Sequence, residues 1–150
     1  MSVVVDWLVE DSVIIWESSG KVSGEEIANG SKRLSEMLKS VQERNLPDVH
    51  IFVDSYRADQ APMSIHAMKQ WFTYLEVGGY DWHVICVSDP KIKVLASEFA
   101  HKFKIERLIL VDDIIEGLRF LDTKLGRPEA EAYLLNHYRS WVRTAQAVAG

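Results

Sequence analysis

The sequence predicts an α/β protein with one mixed, mostly parallel five-stranded sheet that is flanked by helices. Three observations predict this fold class. The chain opens with two neighbouring segments of alternating apolar and polar residues, which is typical of a β-hairpin. Three short, almost entirely apolar segments follow, as expected of strands buried on both faces. Amphipathic segments with helix-capping residues separate these strands, so the strands are expected to run parallel.

The N-terminal part supplies the hairpin and the first helix. Val3 to Val9 alternates in polarity, and Ser12 to Glu17 repeats the strand character after a short polar turn. Ser23 and Glu26 form a capping box, in which each side chain satisfies a backbone N–H group of the other residue. The apolar stripe that follows predicts a helix ending near Asn45.

Strands and helices alternate through the rest of the domain. The buried strands are predicted at Val49–Val53, His83–Val87 and Leu108–Val111. The helices between and after them are predicted to begin at Ser64, after Asp89 and after Asp113, and two of them end at Gly78-Gly79 and Gly126. A polar loop from Ser55 to Pro62 is predicted to connect the first buried strand to the helix at Ser64.

A further helix is predicted beyond Gly126. We therefore divide the chain into an α/β domain over residues 1–126 and a helical extension over residues 127–150. The apolar face of the extension includes Leu134, Tyr138, Trp141 and Val142. Two interpretations stand: this face packs on the sheet of its own chain, or it forms a homodimer contact.

Composition and charge exclude several classes of protein. The chain has 150 residues, 47% of them hydrophobic, and carries a net charge of −5, which does not suit a nucleic-acid-binding surface. No apolar run approaches the roughly 20 residues that span a bilayer. One cysteine excludes an intrachain disulfide, and the N-terminus lacks the basic start of a signal peptide. The sequence thus predicts a cytoplasmic protein.

The usual motifs of catalysis are missing from the sequence. The glycines form no phosphate-binding turn, and the five histidines do not have metal-ligand spacing on any element. Cys86 lies within an apolar strand, where a small inert core residue is expected. The sequence therefore predicts no catalytic centre, no metal site and no cofactor.

Acidic residues do follow each buried strand, at Asp54, Asp89 and Asp112-Asp113. Ligands of open α/β sheets bind at this edge, so the acids could hold a cation or a small molecule. Asp89 and Asp112 or Asp113 also stand where helix N-caps are needed, which requires no ligand. The alternative function is a binder of small or apolar molecules, or a weak hydrolase, that uses these acids with Tyr56, Trp71 and Tyr80.

The pattern from about Asp6 to Leu125 resembles the STAS-like, anti-sigma-factor-antagonist-like family. Four features carry the resemblance. They are the end of the hairpin at Glu17–Ser23, the strand that ends at Asp54, the helix that begins at Ser64, and the final strand with its acidic helix cap at Leu110–Leu118. The resemblance implies a non-enzymatic regulatory module that binds a protein partner. It also implies a regulatory phosphosite, which by position is Ser64, although residues 61–65 lack the Asp and Gly of the family's turn.

The resemblance places partner contacts in the loop and helix after the third strand. We expect a protein partner or a second copy of the chain, and a small apolar ligand as an alternative. The residues expected to make these contacts are Asp54, Ser55, Tyr56, Arg57 and Trp71.

Overall fold

The computed structural model describes residues 3–60, 69 and 72–126 and confirms the predicted α/β fold class. Its sheet has five strands in the order β1-β2-β3-β4-β5, the same as their order along the chain. The strands are β1 Val3–Val9, β2 Val13–Lys21, β3 Val49–Gln60, β4 Tyr80–Cys86 and β5 Leu108–Val111. The described helices are α1 Gly24–Glu43, a 3₁₀ helix Phe72–Glu76, α2 Pro90–Lys102 and α3 Ile114–Leu125.

The sheet is mixed, as predicted. β1 and β2 form an antiparallel hairpin, whereas the pairs β2–β3, β3–β4 and β4–β5 are parallel. Asp11 adopts a left-handed backbone (φ 61°) in the hairpin turn, a conformation that aspartate tolerates better than most residues. The chain therefore enters the sheet through a local turn and completes it through helical crossovers.

The predicted caps fix the ends of the helices. Ser23 and Glu26 form the complete capping box at the start of α1. The Asp113 side chain accepts a hydrogen bond from the Ile115 N–H at the start of α3, over 2.8 Å. Gly126 ends α3 in a left-handed conformation (φ 74°), which glycine adopts without steric cost.

The helices lie on two faces of the sheet. Because sequential parallel strands joined by crossovers of one hand place the crossovers on one side, α1, the 3₁₀ helix and α2 share a face. They cover a core that includes Ile14, Trp16, Leu34, Leu38, Ile51, Val53, Tyr74 and Ile85. The helix α3 covers the other face, where the core comprises Leu8, Val13, Ile15, Phe52, Val84, Cys86, Val111, Leu118 and Leu121.

Three strand boundaries differ from the prediction. The segment from Ser55 to Gln60, predicted to be a loop, continues β3, and residues 18–21 likewise continue β2. These polar segments pair with each other, so they need no apolar face to form strands. The strand β4 begins at Tyr80, three residues earlier than predicted.

Several predicted features lie outside the described residues. They are Ser64, Trp71 and the whole extension 127–150 with Leu134, Tyr138, Trp141 and Val142. Within the described ranges, every helix is too short or too polar to cross a bilayer.

Gly117 sets how closely α3 approaches the sheet. A Cβ atom added at Gly117 would lie 2.7 Å from the Phe52 Cε2 atom and 3.1 Å from the Val84 Cγ1 atom, both in the buried core. We expect Gly117→Ala to lower the free energy of unfolding by about 1–2 kcal/mol, because overpacking outweighs the gain of about 1 kcal/mol in helix propensity.

Urea unfolding followed by circular dichroism measures this change. Gly24→Ala is the matched control, since its added Cβ would meet no atom within 4 Å. Equal stability of the two variants would show that α3 can shift away from the sheet without cost.

Candidate functional site

Two acid-serine pairs occupy neighbouring strands at the carboxyl edge of the sheet. Glu17 and Asp54 are register partners on β2 and β3, and each is followed directly by a serine, Ser18 or Ser55. All four side chains are buried, with exposed fractions of 7%, 0%, 4% and 6% for Glu17, Asp54, Ser18 and Ser55. We call these four residues the polar row.

The two carboxylates of the polar row lie on the α3 face. Side chains alternate along a strand, and Asp54 shares its face with Phe52, which belongs to the core under α3. Neighbouring strands are about 4.8 Å apart, so the two carboxylates stand side by side in a site that water barely reaches. Each takes part in a further polar or electrostatic interaction, which a buried charge requires.

The two serines of the polar row face the other way, toward α1. Ser18 accepts a hydrogen bond from the Trp16 indole N–H over 2.9 Å, a bond that satisfies a donor in the centre of the core. The Ser55 hydroxyl is buried and has no hydrogen-bond partner within the described part of the chain. The polar row thus places acidic groups on one face of the sheet and hydroxyl groups on the other.

Cys86 extends the row onto β4 as the register partner of Asp54. Burial raises the pKa of its thiol to about 12, and the negative charges of Asp54, Asp113, Asp112 and Glu116 add to the shift. The thiol is therefore protonated at neutral pH, and a protonated thiol is a poor nucleophile. This agrees with the prediction that Cys86 is an inert core residue.

The acids that follow β4 and β5 perform structural tasks. Asp89 accepts a hydrogen bond from the Lys91 N–H over 2.9 Å, so it caps α2 as Asp113 caps α3. Asp112 forms an ion pair with Lys93 of α2. Among the described residues, no three His, Cys, Asp or Glu side chains are grouped so that they could hold a metal ion. The structure therefore does not bring Asp54, Asp89 and Asp112 into one cation site.

From Ser18 and Ser55 of the polar row onward, β2 and β3 continue past the end of the β3–β4 pairing as a two-stranded ribbon. The last pair between β3 and β4 is Asp54 with Cys86, whereas β2 and β3 remain paired as far as Lys21 and Gln60. Two register irregularities, after Glu17 and after Gly20, interrupt this pairing. We call residues 18–21 and 55–60 the β2–β3 ribbon.

The structure places four of the five predicted partner contacts in succession along β3. Asp54 and Ser55 are buried at the base of the β2–β3 ribbon, on opposite faces. Tyr56 and Arg57 belong to the ribbon itself, where Arg57 is paired with Ser19. Tyr80, predicted with Tyr56 and Trp71 as a contact of the alternative ligand, lies at the start of β4, where its hydroxyl donates to the Leu75 carbonyl over 3.2 Å.

A buried histidine forms a second polar feature that the sequence did not indicate. His83 is fully buried and lies against two tyrosines: its ring centroid is 5.8 Å from that of Tyr74 and 4.7 Å from that of Tyr80. Neither ring nitrogen makes a hydrogen bond within the described part of the chain. Burial lowers the pKa of His83 to about 4; the Asp81 backbone opposes this shift but lies outside ordinary hydrogen-bond geometry.

Comparison with known proteins assigns no family to this arrangement. No protein-family model matches the chain, and a search of curated proteins gives no match.

Proposed function

We propose that this chain is a non-enzymatic, STAS-like protein-interaction or regulatory module that binds a protein partner through the β2–β3 ribbon and the segment after it. The observation that carries the proposal is the length of the ribbon. Residues 55–60 of β3 continue beyond the last pair with β4 and are paired only with β2 in the described part of the chain. Such a projecting element is a means of presenting side chains to a partner.

The backbone of the ribbon offers a second means of recognition. A strand paired on one side only has N–H and C=O groups on its other side, and an extended segment of a partner can bind there as an added strand. In this chain that side of residues 55–60 is the one that β4 occupies as far as Asp54. Main-chain bonds would then supply affinity, and the side chains of the ribbon would supply specificity.

The polar row supports this function by holding the base of the ribbon rigidly. Glu17 and Ser18 on β2, and Asp54 and Ser55 on β3, are all buried, so the strands leave the sheet from a fixed position. A binding element supported by a rigid base loses less conformational entropy when it binds. The buried acids thus serve the interaction without touching the partner.

Phosphorylation of Ser64 would regulate the interaction. Ser64 follows the last ribbon residue, Gln60, by four positions. A phosphate group adds a charge of about −2 and strong acceptor oxygens, which changes the electrostatic match with a partner.

A site-specific photocrosslinker tests the interaction. We expect a crosslinker in place of Arg57 to form an adduct with one protein in living cells, whereas the same group at Glu98, exposed on α2, does not. With that protein purified, Arg57→Glu is expected to weaken binding by at least about tenfold through charge reversal at the contact, and Lys102→Glu to leave it unchanged.

Two results would contradict the proposal. One is an adduct that forms equally from positions 57 and 98, and the other is an unchanged dissociation constant for Arg57→Glu. The regulatory part is tested separately, since Ser64→Asp is expected to change the affinity for the purified partner and Ser64→Ala to leave it unaltered.

A further inference from the structure

The outer edge of β1 and the neighbouring side of α1 form a groove at the rim of the sheet. Its volume is about 380 Å³, and it is lined by Val3, Val4, Val5, Glu26, Asn29, Gly30 and Arg33. Because β1 is the first strand in the sheet order, its outer side faces no other strand among the described residues. The groove lies on the side of the hairpin that faces away from β3.

The edge of β1 has few of the features that usually prevent strands from pairing between molecules. Natural edge strands are protected by lysine, proline, inward-pointing charges or bulges. The strand β1 has neither lysine nor proline, and its bulge lies at the far end, between Trp7 and Val9. Its one charged residue, Asp6, lies beyond Val3–Val5 and accepts a hydrogen bond from the Trp7 N–H. Val4 is 42% exposed and is one of three large hydrophobic residues that the described part of the chain leaves exposed.

The backbone of β1 is oriented for pairing at this edge. The Val5 carbonyl accepts a hydrogen bond from the Arg33 side chain of α1 over 3.5 Å, which indicates that it points away from β2. Since backbone groups alternate in direction along a strand, the N–H and C=O groups of Val3 point outward as well. Two copies related by a twofold axis at Val4 would therefore form hydrogen-bonded pairs between Val3 of each copy and Val5 of the other.

The charges on α1 match the same twofold axis. Glu26 and Arg33 lie two turns apart on the groove side of the helix, so the midpoint between them falls next to Gly30. Gly30 packs at the level of Val4, because a Cβ added there would touch Val3 and Trp16, and Trp16 is the register partner of Val5. A twofold axis through Val4 therefore brings Glu26 of each copy opposite Arg33 of the other.

We propose that the β1 edge binds the β1 edge of a second copy, so that two sheets join into one continuous ten-stranded sheet. The strand permits an axis at Val4, and the helix charges select it. In this arrangement the two exposed Val4 side chains meet at the axis and are removed from water. The proposal stands apart from the proposed function, which uses the β2–β3 ribbon.

Cysteine crosslinking tests both the pairing and its register. Facing residues at a non-hydrogen-bonded position of antiparallel strands have Cα atoms about 4.5 Å apart, within the range of a disulfide. We expect Val4→Cys to form a disulfide-linked dimer under mild oxidation, whereas Val94→Cys, on an exposed position of α2, does not. Cys86 does not interfere, because it is buried and protonated.

Charge exchange tests the helix contact on the full-length chain. Light scattering is expected to give twice the monomer mass of 17.1 kDa for the natural chain. Arg33→Glu alone and Glu26→Arg alone place like charges opposite each other and are each expected to give monomers. Because Glu26→Arg also removes the capping box of α1, circular dichroism checks that this variant is folded. Mixing the two variants restores both opposite-charge pairs and is expected to give a heterodimer.

A monomeric natural chain at high micromolar concentration would overturn the proposal. So would a Val4→Cys variant that crosslinks no faster than Val94→Cys, or a mixture of charge variants that stays monomeric. These failures would leave the photocrosslinking result at Arg57 untouched, and the absence of a partner at Arg57 would likewise leave the dimer measurements valid.

Discussion

Trp16→Ala is expected to lower the free energy of unfolding by about 3–5 kcal/mol, the usual cost of truncating a buried tryptophan. Trp16 is fully buried in the core between β2 and α1, and its indole N–H bonds to Ser18. Gly30 of α1 packs directly against its ring, since an added Cβ would lie 2.7 Å from the Trp16 Cη2 atom. A loss of this size is a large part of the roughly 5–15 kcal/mol that stabilises a typical domain.

Urea unfolding at neutral pH measures the effect, and Trp7→Ala is the matched control. Trp7 lies on β1 and is only half-buried, so the same truncation is expected to cost less than half as much. A second comparison uses the contact with Gly30. Gly30→Ala is expected to destabilise the natural chain and to cost less in a Trp16→Phe background, where the smaller ring leaves room for the methyl group. A loss below about 1 kcal/mol for Trp16→Ala would be typical of surface positions and would contradict this packing.

The chain is expected to lose about 3 kcal/mol of stability between pH 7 and pH 4 through His83 alone. Burial lowers the pKa of His83 in the folded protein to about 4, from an ordinary value of 6.5. Above pH 6.5 the imidazole is neutral in both states, so stability is unaffected. As the pH falls from 6.5 toward 4, the unfolded chain binds a proton that the folded chain does not accept, and unfolding becomes more favourable.

Apart from the Asp81 backbone, the surroundings of His83 do not compensate its charged form. Its ring contacts Tyr74 and Tyr80, whose own pKa values are raised by burial, so neither phenol ionises in this range. Its register partners, Ile51 and Leu108, are apolar.

Comparison of variants at pH 7 and pH 4 isolates this contribution from that of the carboxylates. His83→Phe keeps an aromatic ring between the tyrosines. When the pH is lowered from 7 to 4, its free energy of unfolding is expected to rise by about 3 kcal/mol relative to that of the natural chain. His101→Gln changes an exposed position near the end of α2 and is expected to have the same stability as the natural chain at pH 7 and at pH 4. If His83→Phe and the natural chain lose stability in parallel, the imidazole is protonated in the folded state without penalty.

The elements of the fold were predictable because their signals are local. Alternation of polarity identified β1, continuous apolar runs identified β3 to β5, and caps at Ser23, Asp89 and Asp113 identified the helix starts. The ends of β2 and β3 were missed because residues 18–21 and 55–60 are polar, which suggests a loop when each segment is considered alone. They are strands because they pair with each other, and that pairing depends on residues nearly 40 positions apart.

The candidate site was only partly predictable for the same reason. Asp54 was identified from its place at a strand end, but Glu17 was not, since its partnership with Asp54 depends on the register of β2 against β3. The predicted strand His83–Val87 placed His83 at its first residue. Because β4 in fact begins at Tyr80, His83 lies inside the strand and in the core. The groove at β1 depends on how closely α1 approaches the sheet at Gly30. No pattern in the sequence indicates the distance between the helix and the sheet.

The position of α3 also affects how the chain is made. Every other described helix lies on one face of the sheet, so the face with Phe52, Val84 and Cys86 is covered by the last described element alone. During synthesis, all five strands emerge from the ribosome before α3. Until then the nascent chain presents a half-covered apolar sheet, which is a surface that chaperones bind and that aggregates form on. Docking of α3, rather than closure of the first core, is therefore the step that covers this apolar face.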